Sequence, residues 1–195
     1  MQTLKLNAKK REEFGKKPTK AVRKEERIPA VVYGQGEPVN FSLDVAEVKP
    51  LIYTPASYIV ELDIEGRKEV AVMREVQFHP VREEILHMDF FRVDAAHPVT
   101  IDIPVRITGN SEGVKMGGKL VQSKRKLTVS GLLANLPDEL VVDITELGIG
   151  KTIFVGDLKY DNLRLLNPAS TAVCAIRVTR AAAAAAAAAS AEAKK

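Results

Sequence analysis

The chain has 195 residues, of which 46% are hydrophobic and only 5% aromatic, so its core must be built mainly from valine, isoleucine and leucine. The single cysteine, Cys174, excludes an internal disulfide and any multi-cysteine metal site. Ten of the 29 basic side chains but only four of the 25 acidic ones lie in residues 1–30, which therefore carry a formal charge of +6. This concentration indicates a polyanionic partner, most often nucleic acid, although a solvated charged face gives the same pattern.

The basic segment predicts a strand over residues 3–8 and then a short helix that begins at Thr19, a residue type suited to a helix N-cap. Four cations have the i, i+3, i+4, i+7 spacing of one helical face: Lys20, Arg23, Lys24 and Arg27. Pro29 disfavours helix at the residue before it, so the helix should end there. We expect a basic stripe on this helix.

A series of short strands follows up to residue 93. Residues 28–33 and 39–43 predict a hairpin, and residues 44–54 predict a helix that is divided or kinked at Pro50. Alternation then predicts strands over residues 57–64, 69–78 and 85–93. In the last two we expect inward side chains at Val70, Val72, Val76, Phe78, Leu86, Met88 and Phe90, and outward ones at Glu75, Gln77, His79, His87, Asp89 and Phe91. Short antiparallel strands with brief helices predict a small β-barrel of about 90 residues.

The second half predicts another β region. Residues 94–98 are typical of a linker, and residues 99–107 alternate as a strand that Pro104 should place at an edge or at a bulge. Residues 110–118 indicate a glycine-rich loop. Further strands are expected near 119–122, 125–131, 139–144, 152–155 and 172–179. We therefore predict a barrel domain over 1–94, a β-sandwich-like domain over 95–180, and a partly helical, alanine-rich tail over 181–195 that lies outside the fold.

His79, His87 and Asp89 are the residues most suited to catalysis. Alternate strand residues project from one face about 6.6 Å apart, and a His/His/Asp set could hold zinc or iron in a metal-dependent hydrolase. Gly148–Thr152 resembles part of a phosphate loop, but Thr145 stands where that motif needs a glycine and a β run follows it. We expect no enzyme activity and no cofactor.

Recognition is the remaining interpretation. Lysine and arginine contact phosphates, while His, Asp and Gln can bind base edges or ribose hydroxyls. Asp89 repels phosphate, so it should either accept from a specific donor of the partner or orient His87 or an arginine. Tyr33 could offer its hydroxyl or form the edge of the core. A stress-related interaction module for an acidic protein or a membrane surface is the other alternative.

Several ordered motifs, covering residues 3 to about 179, resemble the bacterial family of ribosomal proteins that bind 5S ribosomal RNA, the CTC or general stress protein family, in its long two-domain form. In the first half they are Arg11…Gly15-Lys16, Arg23…Ile28-Pro-Ala-Val-Val-Tyr-Gly34 and Val76-Gln-Phe-His-Pro80…Leu86-His-Met-Asp-Phe90. In the second half they are Gly113-Val-Lys-Met-Gly-Gly118, Leu136-Pro-Asp-Glu139 and Asp143-Ile-Thr-Glu-Leu-Gly148. The chain departs from the family at Lys17, usually a glycine, and at Glu26, usually a small or turn-forming residue.

The resemblance implies a mainly β fold: a six-stranded-type barrel with short helices, akin to the anticodon-binding domain of a transfer-RNA synthetase, and then a β-sandwich-like domain. It implies a structural component of the large ribosomal subunit, in the cytoplasm, that binds the loop E region of 5S RNA and touches neighbouring ribosomal proteins. No membrane, small-molecule substrate, cofactor or metal is implied. Implied RNA contacts are Arg11, Arg23, Tyr33, His87 and Asp89, with secondary contacts at Lys16, Lys20, Gln77, His79 and Arg82.

Overall fold

The computed structural model describes residues 1–94 and 96–179. The described chain forms two compact units. One comprises Met1–Ile101 with Gly131–Asp138, and the other comprises Asp102–Ser130 with the described residues from Glu139 onward. The predicted alanine-rich tail, and Ala95 within the predicted linker, lie outside the described residues. The predicted fold class, mainly β with a barrel followed by a second β region, is confirmed.

Six strands of the first unit close into a barrel in the order β1-β3-β2-β6-β5-β4. The elements are β1 Gln2–Lys10, α1 Lys16–Lys24, β2 Arg27–Tyr33, β3 Val39–Asp44, α2 Val45–Tyr53, β4 Tyr58–Ile64, β5 Arg67–Phe78 and β6 Ile85–Arg92. β1 pairs with β4, and β2 with β6, in parallel, whereas the other neighbours are antiparallel. Closure leaves no strand of this sheet with an unpaired edge.

The barrel core follows from alternation in its strands. Val60, Leu62 and Ile64 of β4 are buried, as the sequence pattern predicts. Phe41 and Phe90 meet in the interior with ring centroids 5.8 Å apart. Each such side chain contributes about 1.5–3 kcal/mol when fully removed from water, so this apolar face fixes the register of the strands.

A bulge in β5 overturns part of the predicted inward face. Met73 pairs with Phe90 and Glu75 pairs with Asp89, so Arg74 is an extra residue in the ladder. Val70 and Phe78 are exposed instead of buried, while Ala71 is fully buried. Ala71, Met73 and Val76 pack into the barrel core. Val72 is also buried, but it is not part of that core.

A second irregularity corrects the prediction for β6. The register shifts between Gln77 and Phe78, which pair with His87 and Ile85, so Leu86 is the unmatched residue. Ile85 takes the core position expected for Leu86, and Met88 and Phe90 face inward as predicted. His87 and Asp89 stay on the outer face.

α1 begins earlier than predicted and is not capped by Thr19. Gly15 is the N-cap residue, with a φ of 108° that favours glycine, and Thr19 lies inside the helix, where its hydroxyl donates to the Gly15 carbonyl at 2.7 Å. Glu26, one of the departures from the family pattern, adopts the left-handed region with a φ of 56° and joins α1 to β2. Glu26 therefore adopts a left-handed conformation that glycine or asparagine would tolerate better.

α2 is one helix and not two. Asp44 caps it by accepting from the Ala46 N–H at 2.8 Å, and Pro50 lies inside its nine residues. Val48 and Leu51 are buried against the barrel, so packing holds the helix together although Pro50 lacks the N–H that would bond to the Ala46 carbonyl.

The remaining strands form two sheets, one of four strands in the order β10-β7-β9-β12 and one of three in the order β11-β13-β8. The elements are β7 Val99–Thr108, α3 Glu112–Lys115, β8 Lys119–Gln122, β9 Lys126–Gly131, β10 Leu140–Asp143, β11 Thr152–Phe154, β12 Arg164–Leu165 and β13 Ala172–Arg177. The sequence did not indicate the two-residue strand β12. It also missed α3, a helical turn within the predicted loop that Ser111 caps by accepting from the Val114 N–H.

The edge position predicted for the strand that contains Pro104 is wrong. β7 is an interior strand of its sheet, not an edge. β10 pairs only with residues from Val105 to Thr108, and the Val105 N–H donates to Arg125 on the other side. Pro104 therefore lies just before the β10 ladder begins, where its missing N–H costs no sheet hydrogen bond.

Cys174 of β13 is a free cysteine buried among apolar side chains. Burial raises the pKa of its thiol, because the thiolate would lose its hydration there. Among the residues that the structure describes, no helix has the length and apolar character needed to cross a membrane.

Candidate nucleic-acid interface

The basic segment forms a cationic surface on α1 and the loop before it. Lys16, Lys20 and Arg23 are exposed, and Arg11 is half-buried at the base of the helix. Within residues 1–94 and 96–179, no carboxylate lies within ion-pair distance of these four cations. The pKa of Arg11 is lowered, first by burial and then by the positive charge of Arg23.

Hydrogen bonds attach this surface to the barrel. The Arg23 guanidinium donates through Nε and Nη2 to the Leu86 carbonyl, at 3.2 and 2.7 Å. Arg11 Nη2 donates to the Thr19 hydroxyl at 3.2 Å and to the Glu13 carbonyl at 3.4 Å. Arg23 therefore couples α1 to β6, and both arginines keep further N–H groups for a ligand.

A polar outer face lies on the neighbouring strands β2, β6 and β5. Val31 and Tyr33 pair with Asp89 and Phe91 across the parallel β2–β6 ladder. On the other side, β5 places Glu75 opposite Asp89 and Gln77 opposite His87. We call this surface the β2–β6–β5 face. It joins the predicted contacts Tyr33, Gln77, His87 and Asp89, which are separated in sequence by up to 56 positions.

His87 and Asp89 form the closest polar pair on the β2–β6–β5 face, with 2.7 Å between Nδ1 and Oδ1. Their side chains are 31% and 26% exposed. A carboxylate only accepts, so Nδ1 donates this hydrogen bond, which leaves Nε2 as an acceptor in the neutral form of the ring. Asp89 thus orients the imidazole, one of the two roles expected for it, and its second oxygen remains available.

Tyr33 packs edge-on against Phe91, with ring centroids 5.9 Å apart and an angle of 76° between the rings. In the described part of the chain its hydroxyl has no hydrogen-bond partner. A half-buried phenol with a free hydroxyl fits a ligand contact at the border of an apolar patch.

His79 and Arg82 lie in the turn between β5 and β6. His79 Nδ1 accepts from the N–H groups of Val81 and Arg82, both at 3.2 Å, so its ring shapes this turn. Arg82 is exposed and lies 3.9 Å from Glu84. No three His, Cys, Asp or Glu side chains of the described residues come together as a possible metal site. The set His79, His87 and Asp89 is therefore not assembled as a metal centre.

The sequence pattern did not indicate a cleft beside Arg11. It has a volume of about 560 Å³, and its cationic walls come from Lys10, Arg11, Arg67 and Arg92. Arg92 is neutralised by Glu69 at 2.8 Å and donates to the Gln35 and Glu37 carbonyls. Phe14, 65% exposed, stands at the cleft. An exposed aromatic within a basic loop was the one available signal of this feature.

Comparison with known proteins identifies the family. The Ribosomal L25p family matches residues 6–90, and the family described as Ribosomal protein TL5, C-terminal domain, matches residues 98–180. A protein of Porphyromonas gingivalis named large ribosomal subunit protein bL25 is 47% identical over 184 residues, covering 93% of this chain and 96% of that protein. The chain belongs to the ribosomal L25p family.

Two further relatives support membership in the ribosomal L25p family. Proteins of the same name from Bacteroides thetaiotaomicron and Phocaeicola vulgatus are 45% and 43% identical over 163 and 189 residues. The matches cover 84% and 93% of this chain, and 83% and 96% of those proteins. The predicted resemblance is therefore confirmed over both halves of the chain.

Proposed function

We propose that the N-terminal barrel binds 5S ribosomal RNA, at its loop E region, with α1 supplying affinity and the β2–β6–β5 face supplying selectivity. As a member of the ribosomal L25p family, the chain is a component of the large ribosomal subunit and not an enzyme. The particular RNA and the residues that contact it are the proposal.

The unneutralised cations of α1 are the observation that carries this proposal. Lys16 and Lys17 lie in the first turn of the helix, which contains no acidic residue. Cations there are repelled by the positive end of the helix dipole, which costs the helix about 0.3–1 kcal/mol of stability for each one. Helix stability does not explain this placement, whereas an external polyanion does.

The neighbouring face supplies the groups that can choose among RNA structures. The His87 imidazole, oriented by Asp89 at 2.7 Å, offers an acceptor, and Gln77 opposite it offers both a donor and an acceptor. RNA exposes base edges and 2′-hydroxyls in a wide, shallow minor groove. Non-canonical pairs, which the resemblance places in loop E, widen that groove further and would admit these strand-borne side chains.

A filter-binding series with the full chain tests the proposal. The RNAs are 5S RNA and a variant whose loop E is replaced by regular Watson–Crick pairs. If four cations contact phosphates, affinity for 5S RNA should fall about 100-fold between about 50 and about 200 mM salt. The variant RNA should bind at least about tenfold more weakly, as expected when base-edge contacts are lost. Equal affinity for both RNAs, or affinity independent of salt, would contradict the proposal.

A further inference from the structure

A second concentration of positive charge lies in the unit that begins at Asp102. Between Glu112 and Asp138 the chain has five basic residues and no acidic one. Four of them are Lys119 at the start of β8, Lys124 and Arg125 in the turn after it, and Lys126 at the start of β9. All four are exposed. The net charge does not reveal this segment, because acidic residues elsewhere give residues 31–195 a formal charge of −2.

The sheet adds a fifth cation to this group. Arg177 of β13 pairs directly with Lys119 of β8, so two exposed cations stand opposite each other in an antiparallel ladder. Directly opposed like charges destabilise a sheet. In the part of the chain that the structure describes, no carboxylate lies within ion-pair distance of either residue. We call the five residues the β8 cation row: Lys119, Lys124, Arg125, Lys126 and Arg177.

The backbone holds the β8 cation row in a defined shape. The N–H groups of Ser123 and Lys124 donate to the Val173 carbonyl at 2.9 and 3.2 Å, and the Arg125 carbonyl accepts from the Val105 N–H at 2.8 Å. β8 is an edge strand of its sheet. At a rise of about 3.3 Å per residue, Lys119 and Ser123 are about 13 Å apart. Measured along the axis of a duplex, that span corresponds to about four nucleotide steps of one strand.

We propose that the β8 cation row binds the sugar-phosphate backbone of RNA in the large ribosomal subunit, as a second RNA contact distinct from the N-terminal barrel. Its charge complements phosphate. A protein partner fits less well, since protein interfaces are depleted in lysine at their centres and rich in aromatic residues. From Lys119 to Lys126 no large apolar side chain is exposed.

The first test measures binding of the full chain to large-subunit particles depleted of this protein, over a range of salt concentrations. The variant Lys124→Gln/Arg125→Gln/Lys126→Gln is compared with a control that removes equal charge elsewhere in the same unit: Lys151→Gln/Lys159→Gln/Arg164→Gln. The slope of log affinity against log salt should become shallower by about one for each lost phosphate contact, and the control should keep the wild-type slope. Lys119→Gln/Arg177→Gln should likewise flatten the slope. Equal slopes for all variants would overturn the proposal.

The second test identifies the partner. A photo-reactive phenylalanine analogue replaces Ser123, which is exposed between the cations, and the full chain is assembled into the depleted particles. Crosslinks to RNA are expected, and crosslinks only to protein, or none, would overturn the proposal. Binding to isolated 5S RNA is measured in parallel and should be the same for the wild type and the β8 variants. Failure of the wild type to bind 5S RNA would count against the barrel proposal alone.

Discussion

Asp89 and Glu75 are neighbouring carboxylates with different surroundings. They pair in register on the β2–β6–β5 face, but only Asp89 accepts a hydrogen bond from His87. Both repel phosphate, so simple electrostatics assigns them the same effect on RNA binding. The hydrogen bond to His87 makes their expected effects differ, because without Asp89 the imidazole is no longer held in one orientation.

We expect Asp89→Ala to weaken binding to 5S RNA by about tenfold or more, since a half-buried polar contact is left unmatched. Glu75→Ala removes the same charge and should leave affinity unchanged or slightly higher. Lys20→Ala should cost less than Asp89→Ala. Filter binding at fixed salt compares the three variants. Equal responses of Asp89→Ala and Glu75→Ala would show that Asp89 acts only through its charge.

Cys174 gives the second unit a pH-dependent stability. Its folded-state pKa is raised by burial, so the unfolded chain loses the thiol proton at a lower pH than the folded one. The contribution is complete below the unfolded thiol pKa of about 8.5 and is lost as the pH rises toward the folded pKa. We expect the free energy of unfolding, measured with urea, to decline more steeply above that pH in the wild type than in Cys174→Ala. Parallel declines would contradict this expectation.

At the scale of elements, the first turn of α1 carries lysines that disfavour the helix but favour binding of an anion. Lys16 and Lys17 oppose the helix dipole, whereas Arg23 and Lys24 in the last turn are favourably placed. We expect Lys16→Gln/Lys17→Gln to stabilise the fold, by at most about 1 kcal/mol per residue, and yet to weaken 5S RNA binding and flatten its salt dependence. Thermal unfolding and filter binding measure the two effects.

The matched control for α1 is Lys49→Gln/Lys68→Gln, which removes two exposed cations from the same unit but away from the helix. It should leave the slope of log affinity against log salt unchanged. If both double variants flatten the slope equally, the RNA responds to the net charge of the barrel and not to α1.

α2 offers a test of its internal proline. Pro50 is exposed, so its replacement removes little packing. Pro50→Ala supplies an N–H that can bond to the Ala46 carbonyl and relieves the clash of the ring with that carbonyl, although it also loosens the unfolded chain. We expect the free energy of unfolding to rise by about 1–2 kcal/mol. A lower value in urea denaturation would show that the helix has adapted to the proline.

The strands of the barrel were largely predictable, and the errors lie where the ladder is irregular. Apolar alternation in β4 correctly indicated its buried face, because a period of two follows from the backbone. The same rule failed in β5, because the extra residue Arg74 reverses the alternation: Ala71 and Met73 face the interior before it and Val76 after it, so no single period of two fits the whole strand. A bulge depends on pairing between strands, and a sequence pattern in one strand does not contain that information.

The candidate site was predictable in its residue types but not in its contacts. Charge density marked α1, and alternation put His87 and Asp89 on one face. The Arg23 bond to the Leu86 carbonyl joins positions 63 residues apart, so only the closed barrel brings them together. The β8 cation row was missed because acidic residues elsewhere balance it in the total charge.

At the scale of the whole molecule, the core and the closed sheet of the barrel are both complete within the first half of the chain. Its core runs from Leu6 to Phe90 and draws on all six strands and α2. Because the sheet closes on itself, no strand edge in it needs a partner from the second half of the chain. The candidate 5S RNA surface likewise lies between Arg11 and Asp89.

We therefore expect a fragment of residues 1–94 to fold cooperatively and to bind isolated 5S RNA within about threefold of the full chain, with the same dependence on salt. Circular dichroism during heating reports the folding, and filter binding reports the affinity. The fragment lacks the β8 cation row, so it should bind depleted large-subunit particles more weakly than the full chain, with a shallower salt dependence. A fragment that unfolds without a cooperative transition would show that the barrel needs the second half of the chain. If the fragment binds depleted particles as tightly as the full chain does, RNA binding is confined to the barrel.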